Sequence, residues 1–263
     1  MCFDYDAVPP DLPADLAMPR LAGGAAAEDL TLTSADGTAV AAAFAEAPEP
    51  VAGGPAVVIY PDVRGLYDFY RRLAERFAEA GHHAIVLDYF GRTAGAESRG
   101  EDFDFWPNTL AVEAPNVQAD TQAAIAAVRE RTGATAFVIV GFCFGGTNAF
   151  LSATNGDLGL SGVVGFYGGL DPDKHGMKVP SPVASAAATK VPVLALFGGA
   201  DESIPQERRD AFEAGLQQAG VEHEVHVYEG APHSFFDRSF AEHAEACDDA
   251  WRRVIGFLRA HGG

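Results

Sequence analysis

The chain has 263 residues, of which 48% are hydrophobic, and its formal net charge is −19. Such an acidic surface repels phosphate backbones and anionic lipids, so neither nucleic acid nor a membrane is expected as a partner. No apolar run is long enough to span a bilayer, and the acidic N-terminus lacks the basic start and apolar stretch of a signal peptide, so we predict a cytoplasmic protein. The three cysteines, Cys2, Cys143 and Cys247, are too widely spaced for a disulfide framework or a zinc site.

The predicted elements begin after an irregular N-terminal arm, residues 1–28, which is rich in proline, alanine, glycine and acids. Two extended runs follow between residues 29 and 45, and the Asp-Gly pair between them indicates a hairpin. From residue 56 onward, short apolar runs typical of buried strands alternate with amphipathic segments typical of helices. Strands are predicted at 56–60, 84–87, 136–140, 162–167, 191–197 and 223–228, and helices at 66–80 and 119–131, from about 145, after Pro205, and at 240–260.

One long segment interrupts this alternation. Residues 93–112 are rich in glycine and acids, and we expect a loop with little regular structure there. Strands that alternate with helices predict an α/β fold, with a mostly parallel central sheet and helices on both faces. The sequence shows neither an internal repeat nor a second domain, so residues 29–263 are predicted to form one domain.

A candidate nucleophile lies in the sequence Gly-Phe-Cys-Phe-Gly-Gly at residues 141–146. The first five residues fit the pattern in which a nucleophile stands between two glycines, each two positions away, and here that nucleophile is Cys143. The pattern requires a strand before it and a helix after it, and both are predicted. A helix N-terminus also favours the thiolate form of cysteine. By itself the segment would also fit a buried cysteine in an ordinary glycine-rich turn.

Two further residues favour a catalytic cysteine over a buried cysteine in an ordinary turn. Asp201 follows the strand predicted at 191–197, and His233 follows the strand predicted at 223–228. Hydrolases with this type of nucleophile have the order nucleophile, acid, base along the chain, each after a strand. We therefore predict that His233 accepts the thiol proton of Cys143 and that Asp201 holds the imidazole. Backbone N–H groups of Phe144 and of a residue after the first core strand would stabilise the oxyanion.

Four segments together resemble the dienelactone hydrolase family over roughly residues 30–260. They are Pro-Asp-Val-Arg-Gly-Leu at 61–66, Leu-Asp-Tyr-Phe-Gly-Arg at 87–92, the cysteine segment at 141–146, and Gly-Ala-Pro-His-Ser-Phe at 230–235. The resemblance implies an α/β-hydrolase fold and hydrolysis of small esters or lactones. It also implies a Cys-His-Asp triad that needs no metal ion or organic cofactor, with Val63 as the second oxyanion donor.

The resemblance also suggests residues around the substrate. Asp62 occupies the position of a family glutamate that interacts with the nucleophile in the resting enzyme, and it is one methylene shorter. Arg92 matches an arginine that contacts a substrate carboxylate. The family's second substrate-binding arginine is not matched, because Asp237 stands in its place and Arg238 follows one residue later. The departure leaves open whether a carboxylated dienelactone is the substrate.

Two alternative functions remain open at this stage. Cysteine amidases of the glutamine amidotransferase type use a late His-x-Glu tripeptide, which His243 and Glu245 would supply from within the predicted last helix. A non-catalytic ligand-binding protein with the same fold is the other alternative, although it would have no need for all three triad residues. The sequence is compatible with a monomer or a weak homo-oligomer. The aromatic residues Phe103, Phe105, Trp106, Tyr67 and Tyr89 are expected either to line the substrate pocket or to pack in the core.

Overall fold

The centre of the structure is one eight-stranded sheet, in a computed structural model that describes residues 7–18, 25–97, 99–237 and 239–262. The strands are β1 (Glu28–Thr33), β2 (Ala39–Ala45), β3 (Ala56–Tyr60), β4 (Ala84–Leu87), β5 (Phe137–Phe142), β6 (Gly162–Phe166), β7 (Val193–Gly198) and β8 (His223–Tyr228). They lie in the order β1-β2-β4-β3-β5-β6-β7-β8. The pairs β1–β2 and β2–β4 are antiparallel, whereas all pairs from β4–β3 to β7–β8 are parallel.

Helices lie between the parallel strands along the chain, and one more helix follows the last strand. They are α1 (Asp68–Glu79), α2 (Gly91–Ala94), α3 (Phe105–Ala111), α4 (Ala114–Thr132), α5 (Phe144–Ser152), α6 (Pro182–Ser185), α7 (Gln206–Ala219) and α8 (Ala244–Ala260), with short 3-10 turns at Gly156–Leu158, Pro172–His175 and Ala186–Ala188. The helix α1 has the amphipathic pattern that the sequence predicts. Its residues Phe69, Leu73 and Phe77 are buried on one face, whereas Arg72 is exposed.

The strands at the centre of the sheet are apolar on both faces. Every residue of β3, β5, β6 and β7 is buried. Because successive side chains of a strand point to opposite faces, both faces of this part of the sheet are covered. The predicted α/β architecture is therefore present. In sheets of this kind, functional residues gather beyond the carboxyl ends of the strands.

The structure differs from the sequence prediction mainly between β4 and β5. Residues 93–112 were expected to be a loop, but they contain the helix α3 and the end of α2. The helix α4 starts at Ala114 rather than residue 119, with Pro115 in its first turn, where its missing N–H is not needed. The helix α8 starts at Ala244 rather than residue 240, because the preceding residues form turns in which Ser239 O accepts the N–H groups of Glu242 and His243.

The N-terminal arm contacts the last helix. Residues 7–18 contain neither a helix nor a strand. Residues 1–6, with Cys2 among them, and residues 19–24 lie outside the described part of the chain. The Trp251 indole N–H donates to Pro10 O at 3.4 Å, and Leu16 is buried against the core. Within the described ranges, we find no helix that is long and apolar enough to cross a membrane.

Candidate active site

Cys143 occupies the turn between β5 and α5. Its backbone has φ 53° and ψ −114°, a conformation that residues with a side chain rarely adopt. The Cys143 N–H donates to Phe166 O at 3.0 Å, which fastens the turn to the end of β6. Backbone strain of this kind is concentrated at functional sites, where the surrounding structure maintains it.

The glycines on either side of Cys143 allow the backbone to approach closely. A Cβ atom on Gly145 would lie 2.1 Å from Tyr60 O and 2.4 Å from Pro61 O, and one on Gly141 would lie 2.2 Å from Gly145 O. All three neighbouring atoms belong to the backbone, so no side-chain rotation could relieve the contacts. Small residues are therefore needed at both positions, as the sequence pattern implies.

The substitution Gly145→Ala is expected to lower the free energy of unfolding by about 2 kcal/mol, because the added methyl group overpacks the elbow. Gly256 is a matched control, since it also lies within a helix and a Cβ atom there would meet nothing within 4 Å. For Gly256→Ala we expect no loss, or a gain of up to about 1 kcal/mol from helix propensity. Urea unfolding measures both values. Equal stability of the two variants would contradict a tightly packed elbow.

His233 lies between Cys143 and Asp201. Its Nε2 is 3.3 Å from Cys143 Sγ, and its Nδ1 is 2.6 Å from Asp201 Oδ2. Asp201 follows β7, His233 follows β8, and Cys143 follows β5, so the parallel strands bring the three loops to one edge of the sheet. The structure thus places the three predicted residues in one hydrogen-bonded line, in the order that nucleophilic catalysis requires.

The carboxylate of Asp201 is held in place by the residues after it. Asp201 is buried, and its Oδ1 accepts the backbone N–H of Ser203 at 2.9 Å and the Ser203 hydroxyl at 2.5 Å. Burial acts to raise the pKa of Asp201, but the hydrogen bond and charge of His233, together with Ser203, lower it below the usual value. An ionised Asp201 fixes a proton on the Nδ1 of His233 and leaves Nε2 facing the sulfur.

The electrostatic environment of His233 favours the imidazolium. Burial acts to lower the pKa of His233, but the negative charge on Cys143 and the hydrogen bond to Asp201 outweigh it and raise this pKa well above its usual value. The attraction is mutual, so an imidazolium at this position also stabilises a thiolate on Cys143. A thiolate is the nucleophilic form of cysteine, and the predicted role of Cys143 requires that form.

Val63 and Phe144, the predicted oxyanion donors, line the same cavity as Cys143. Phe144 is the first residue of α5, where N–H groups have no partner within the helix. Val63 lies in the loop after β3, and within the described part of the chain its N–H makes no hydrogen bond. Both N–H groups are thus available to an oxyanion, although their role remains a prediction.

The cavity around Cys143 encloses about 390 Å³, a volume suited to a small organic molecule. Its walls include the apolar side chains of Trp106, Leu170 and Met177 and the polar side chains of Lys174 and Ser203. Trp106 is 43% exposed, which is unusual for so large an apolar side chain. The other aromatic side chains whose place the sequence left open pack instead: Tyr67 and Tyr89 are buried, Phe103 packs on Phe90, and Phe105 lies against Trp106.

A tyrosine beside His233 was not predicted from the sequence to contact the site. Tyr167 follows β6, is fully buried and has φ 37°. Its ring centroid lies 5.1 Å from that of His233, and its hydroxyl donates to Asp237 Oδ2 at 2.9 Å. Tyr167 therefore packs against the imidazole of His233 and also binds Asp237, which lies four residues after His233. A tyrosine after a buried strand looks like any core residue, so the sequence contained no signal for this contact.

The residues of the amidase alternative lie elsewhere. His243 is the N-cap residue of α8, and Glu245 is exposed in the first turn of that helix. Neither lines the cavity around Cys143. Cys247, in the same helix, is buried, and burial raises its pKa to about 12, so it is an inert thiol.

Comparison with known proteins identifies the family. The sequence model of the dienelactone hydrolase family matches residues 40–262. The chain belongs to this family. It is 31% identical over 217 residues to the "Putative carboxymethylenebutenolidase" of Escherichia coli (strain K12), which covers 80% of this chain and 78% of that protein. It is 30% identical over 228 residues to the "Carboxymethylenebutenolidase" of Rhodococcus opacus, which covers 83% of this chain and 86% of that protein.

A solved structure supports the same assignment. The "Putative Dienelactone Hydrolase" from Klebsiella pneumoniae subsp. pneumoniae MGH 78578 superposes with a TM-score of 0.75 at 28% identity, over 89% of this chain and 98% of that one. The resemblance stated from the sequence, the α/β-hydrolase fold and the assignment as a hydrolase of this family are therefore confirmed.

Arg92, predicted within this family as a substrate contact, is engaged elsewhere. Its guanidinium makes two hydrogen bonds to the Asp120 carboxylate, at 2.8 and 2.9 Å, and one to Asp36 at 2.9 Å. Arg92 does not line the cavity around Cys143. The structure does not bring it to the site, and its guanidinium is paired with two carboxylates. Carboxylate binding by Arg92 is thus an untested prediction that this geometry does not support.

Asp62 is placed close to the site but does not line the cavity. It is fully buried, so it is not a solvent-facing loop acid. Its Oδ1 accepts the Arg64 N–H at 2.8 Å, and its Oδ2 is 4.0 Å from the Arg64 Nε. These contacts stabilise the loop that contains Val63. The predicted interaction of Asp62 with the nucleophile remains a prediction, and Arg238 lies outside the described residues.

Proposed function

We propose that the protein hydrolyses small carboxylic esters or lactones through a Cys143-His233-Asp201 triad and a thioester acyl-enzyme. One observation supports the proposal above all. Cys143 Sγ, the His233 imidazole and the Asp201 carboxylate form a continuous hydrogen-bonded line, and Cys143 and His233 line a cavity of small-molecule size. Cysteine activated by a neighbouring histidine is an effective nucleophile towards acyl carbon. A protein that only binds a ligand has no need for this arrangement.

The first half of the reaction forms the acyl-enzyme. The Cys143 thiolate attacks the carbonyl carbon, and the carbonyl electron pair moves to oxygen, where the N–H groups of Val63 and Phe144 stabilise the negative charge. When the tetrahedral intermediate collapses, the bond to the alcohol oxygen breaks and the His233 imidazolium protonates the leaving alkoxide. In a lactone the alcohol remains attached to the acyl group, so the ring opens.

The second half returns the enzyme to its starting state. The neutral His233 takes a proton from water, and the resulting hydroxide attacks the thioester carbon. A second oxyanion forms at the same N–H groups and collapses, which expels the Cys143 thiolate and releases the carboxylic acid. Asp201 keeps the imidazole oriented and stabilises its positive charge in both halves.

The substrate class follows from the cavity. Apolar walls such as Trp106, Leu170 and Met177 suit an apolar acyl or alcohol portion. Arg92 is neutralised by Asp36 and Asp120, so it does not supply an anion anchor in this conformation. We therefore propose a small ester or lactone whose binding does not depend on a carboxylate at Arg92. The name carboxymethylenebutenolidase, which both reported relatives have, favours lactones among these substrates, because a butenolide is a lactone.

Direct trapping of the acyl-enzyme tests this function. The protein is mixed with p-nitrophenyl trimethylacetate, whose bulky acyl group slows hydrolysis of the thioester, and is then quenched in acid. We expect a burst of nitrophenol equal to the enzyme concentration and one acyl group on the peptide that contains Cys143, measured by mass spectrometry. Turnover without a burst and without an acylated cysteine would rule out the thioester mechanism, and no turnover of any ester or lactone would favour a binding protein.

A further inference from the structure

The helix α3 makes a direct contact with the loop that contains the predicted oxyanion donor. Thr109, in this helix, is fully buried, and its hydroxyl oxygen is 2.8 Å from Val63 O and 3.0 Å from Phe105 O. A hydroxyl has only one proton to donate, and the shorter distance favours Val63. Trp106 lies three residues earlier and lines the substrate cavity, so one short helix touches both the cavity and the oxyanion loop.

Other hydrogen bonds hold the residues beside Val63. The Tyr89 hydroxyl donates to Pro61 O at 2.8 Å, and the Tyr70 hydroxyl accepts the Asp62 N–H at 2.9 Å. Asp62 O accepts the Gly65 N–H at 3.2 Å. This last bond orients the peptide plane that contains the Val63 N–H, because a carbonyl and the following N–H share one plane.

The hydrogen bond from the Thr109 hydroxyl orients the following peptide plane, between Val63 and Arg64. The carbonyl of Val63 belongs to the peptide between Val63 and Arg64, and rotation of that peptide would move Val63 relative to Cys143. With the carbonyls of both Asp62 and Val63 bound, the backbone on each side of Val63 has a defined orientation. Stabilisation of an oxyanion depends on such preorganisation, because donors that must reorient during the reaction contribute less.

We propose that Thr109 is a positioning residue of the oxyanion hole, acting through the carbonyl of Val63. This proposal rests on the proposed function, in which the Val63 N–H stabilises the oxyanion. Thr109 does not touch the reacting atoms. Its hydroxyl instead holds the donor in the orientation that the tetrahedral intermediate requires.

The proposal predicts a specific kinetic pattern. An oxyanion exists only after attack on the carbonyl, so a loosened donor lowers kcat and leaves KM nearly unchanged. Alkylation of Cys143 by iodoacetamide forms no oxyanion, and its rate should not change. Removal of a whole oxyanion donor lowers kcat on the order of 100-fold to 1000-fold. Loss of the hydrogen bond from Thr109 leaves the donor present but less well oriented, so we expect kcat to fall by about 10-fold.

The experiment compares Thr109→Val, which removes the hydroxyl at nearly constant volume, with Thr109→Ser, which keeps it. Thr132→Val is the matched control, because the Thr132 hydroxyl also donates to a carbonyl, Val128 O at 2.8 Å, in a helix that does not line the cavity. For each protein, kcat and KM are measured with p-nitrophenyl acetate and the alkylation rate with iodoacetamide.

We expect about 10-fold lower kcat for Thr109→Val, and values within about 2-fold of wild type for Thr109→Ser and Thr132→Val. Three results would each overturn the proposal: Thr109→Val with kcat within 2-fold of wild type, Thr109→Ser as slow as Thr109→Val, or parallel losses of hydrolysis and alkylation. Failure of the proposed function itself is distinct, because the wild-type protein would then give no acylated Cys143.

Discussion

The substitution Cys143→Ala is expected to lower kcat/KM for p-nitrophenyl acetate by at least about 10⁴-fold, because the covalent half-reaction is lost altogether. Any activity that remains would come from a water molecule in a cavity that still orients the ester, a route that lacks the thioester intermediate. Initial rates at limiting substrate concentration, followed by nitrophenol absorbance, measure the loss. A rate within 10-fold of the wild-type protein would show that Cys143 is not the nucleophile.

The control for this experiment is the other described cysteine. Cys247 is buried in α8, and its Sγ lies 3.5 Å from Phe235 O. Cys247→Ala should keep the activity within about 2-fold and lower the stability by about 1 kcal/mol, because it leaves a small cavity. Thermal unfolding of Cys143→Ala should in contrast remain close to that of the wild-type protein, since alanine has no atom beyond Cβ to place in the elbow. A loss of activity without a loss of stability would then be chemical in origin.

The parts of the site that follow a strand could be predicted from the sequence. Cys143 and Asp201 follow the buried apolar strands β5 and β7, and His233 follows the more exposed strand β8. Parallel strands bring their carboxyl ends to one edge of a sheet. Both the strand pattern and the order of the residues are local properties of the sequence. The positions of the strands and the order of the three residues are therefore sufficient to predict that these side chains lie near one another.

The parts that depend on long-range contacts could not be predicted. The helix α3 is only seven residues long, too short to be stable on its own, and it is held by contacts such as Thr109 with Val63. Arg92 matched the family in sequence, but its contacts with Asp36 and Asp120 come from distant parts of the chain. The contact between Tyr167 and Asp237 likewise joins residues that are 70 positions apart. Such pairings appear only when the chain is folded.

The substitution His233→Asn should change how the reactivity of Cys143 depends on pH. In the wild-type protein the pKa of His233 is raised well above its usual value by the charge on Cys143 and the hydrogen bond to Asp201, which outweigh the effect of burial. A raised histidine pKa means that the imidazolium persists as the pH rises through neutrality and is lost only at higher pH. The positive charge therefore stands beside the sulfur throughout the neutral range, and it favours the thiolate. Asparagine occupies a similar volume but has no charge.

Alkylation by iodoacetamide measures this effect, because only the thiolate reacts. We expect the wild-type rate at Cys143 to change little between about pH 6 and pH 8, whereas the rate for His233→Asn should fall about 10-fold for each unit below the ordinary cysteine pKa of about 8.5. At pH 6 the two proteins should then differ by about 300-fold. Peptide mapping separates the label on Cys143 from that on other cysteines, and Cys247 should stay unlabelled in both proteins because burial raises its pKa to about 12. Parallel pH profiles for the two proteins would mean that the imidazolium does not activate the sulfur, and His233 would then act only as a base towards water.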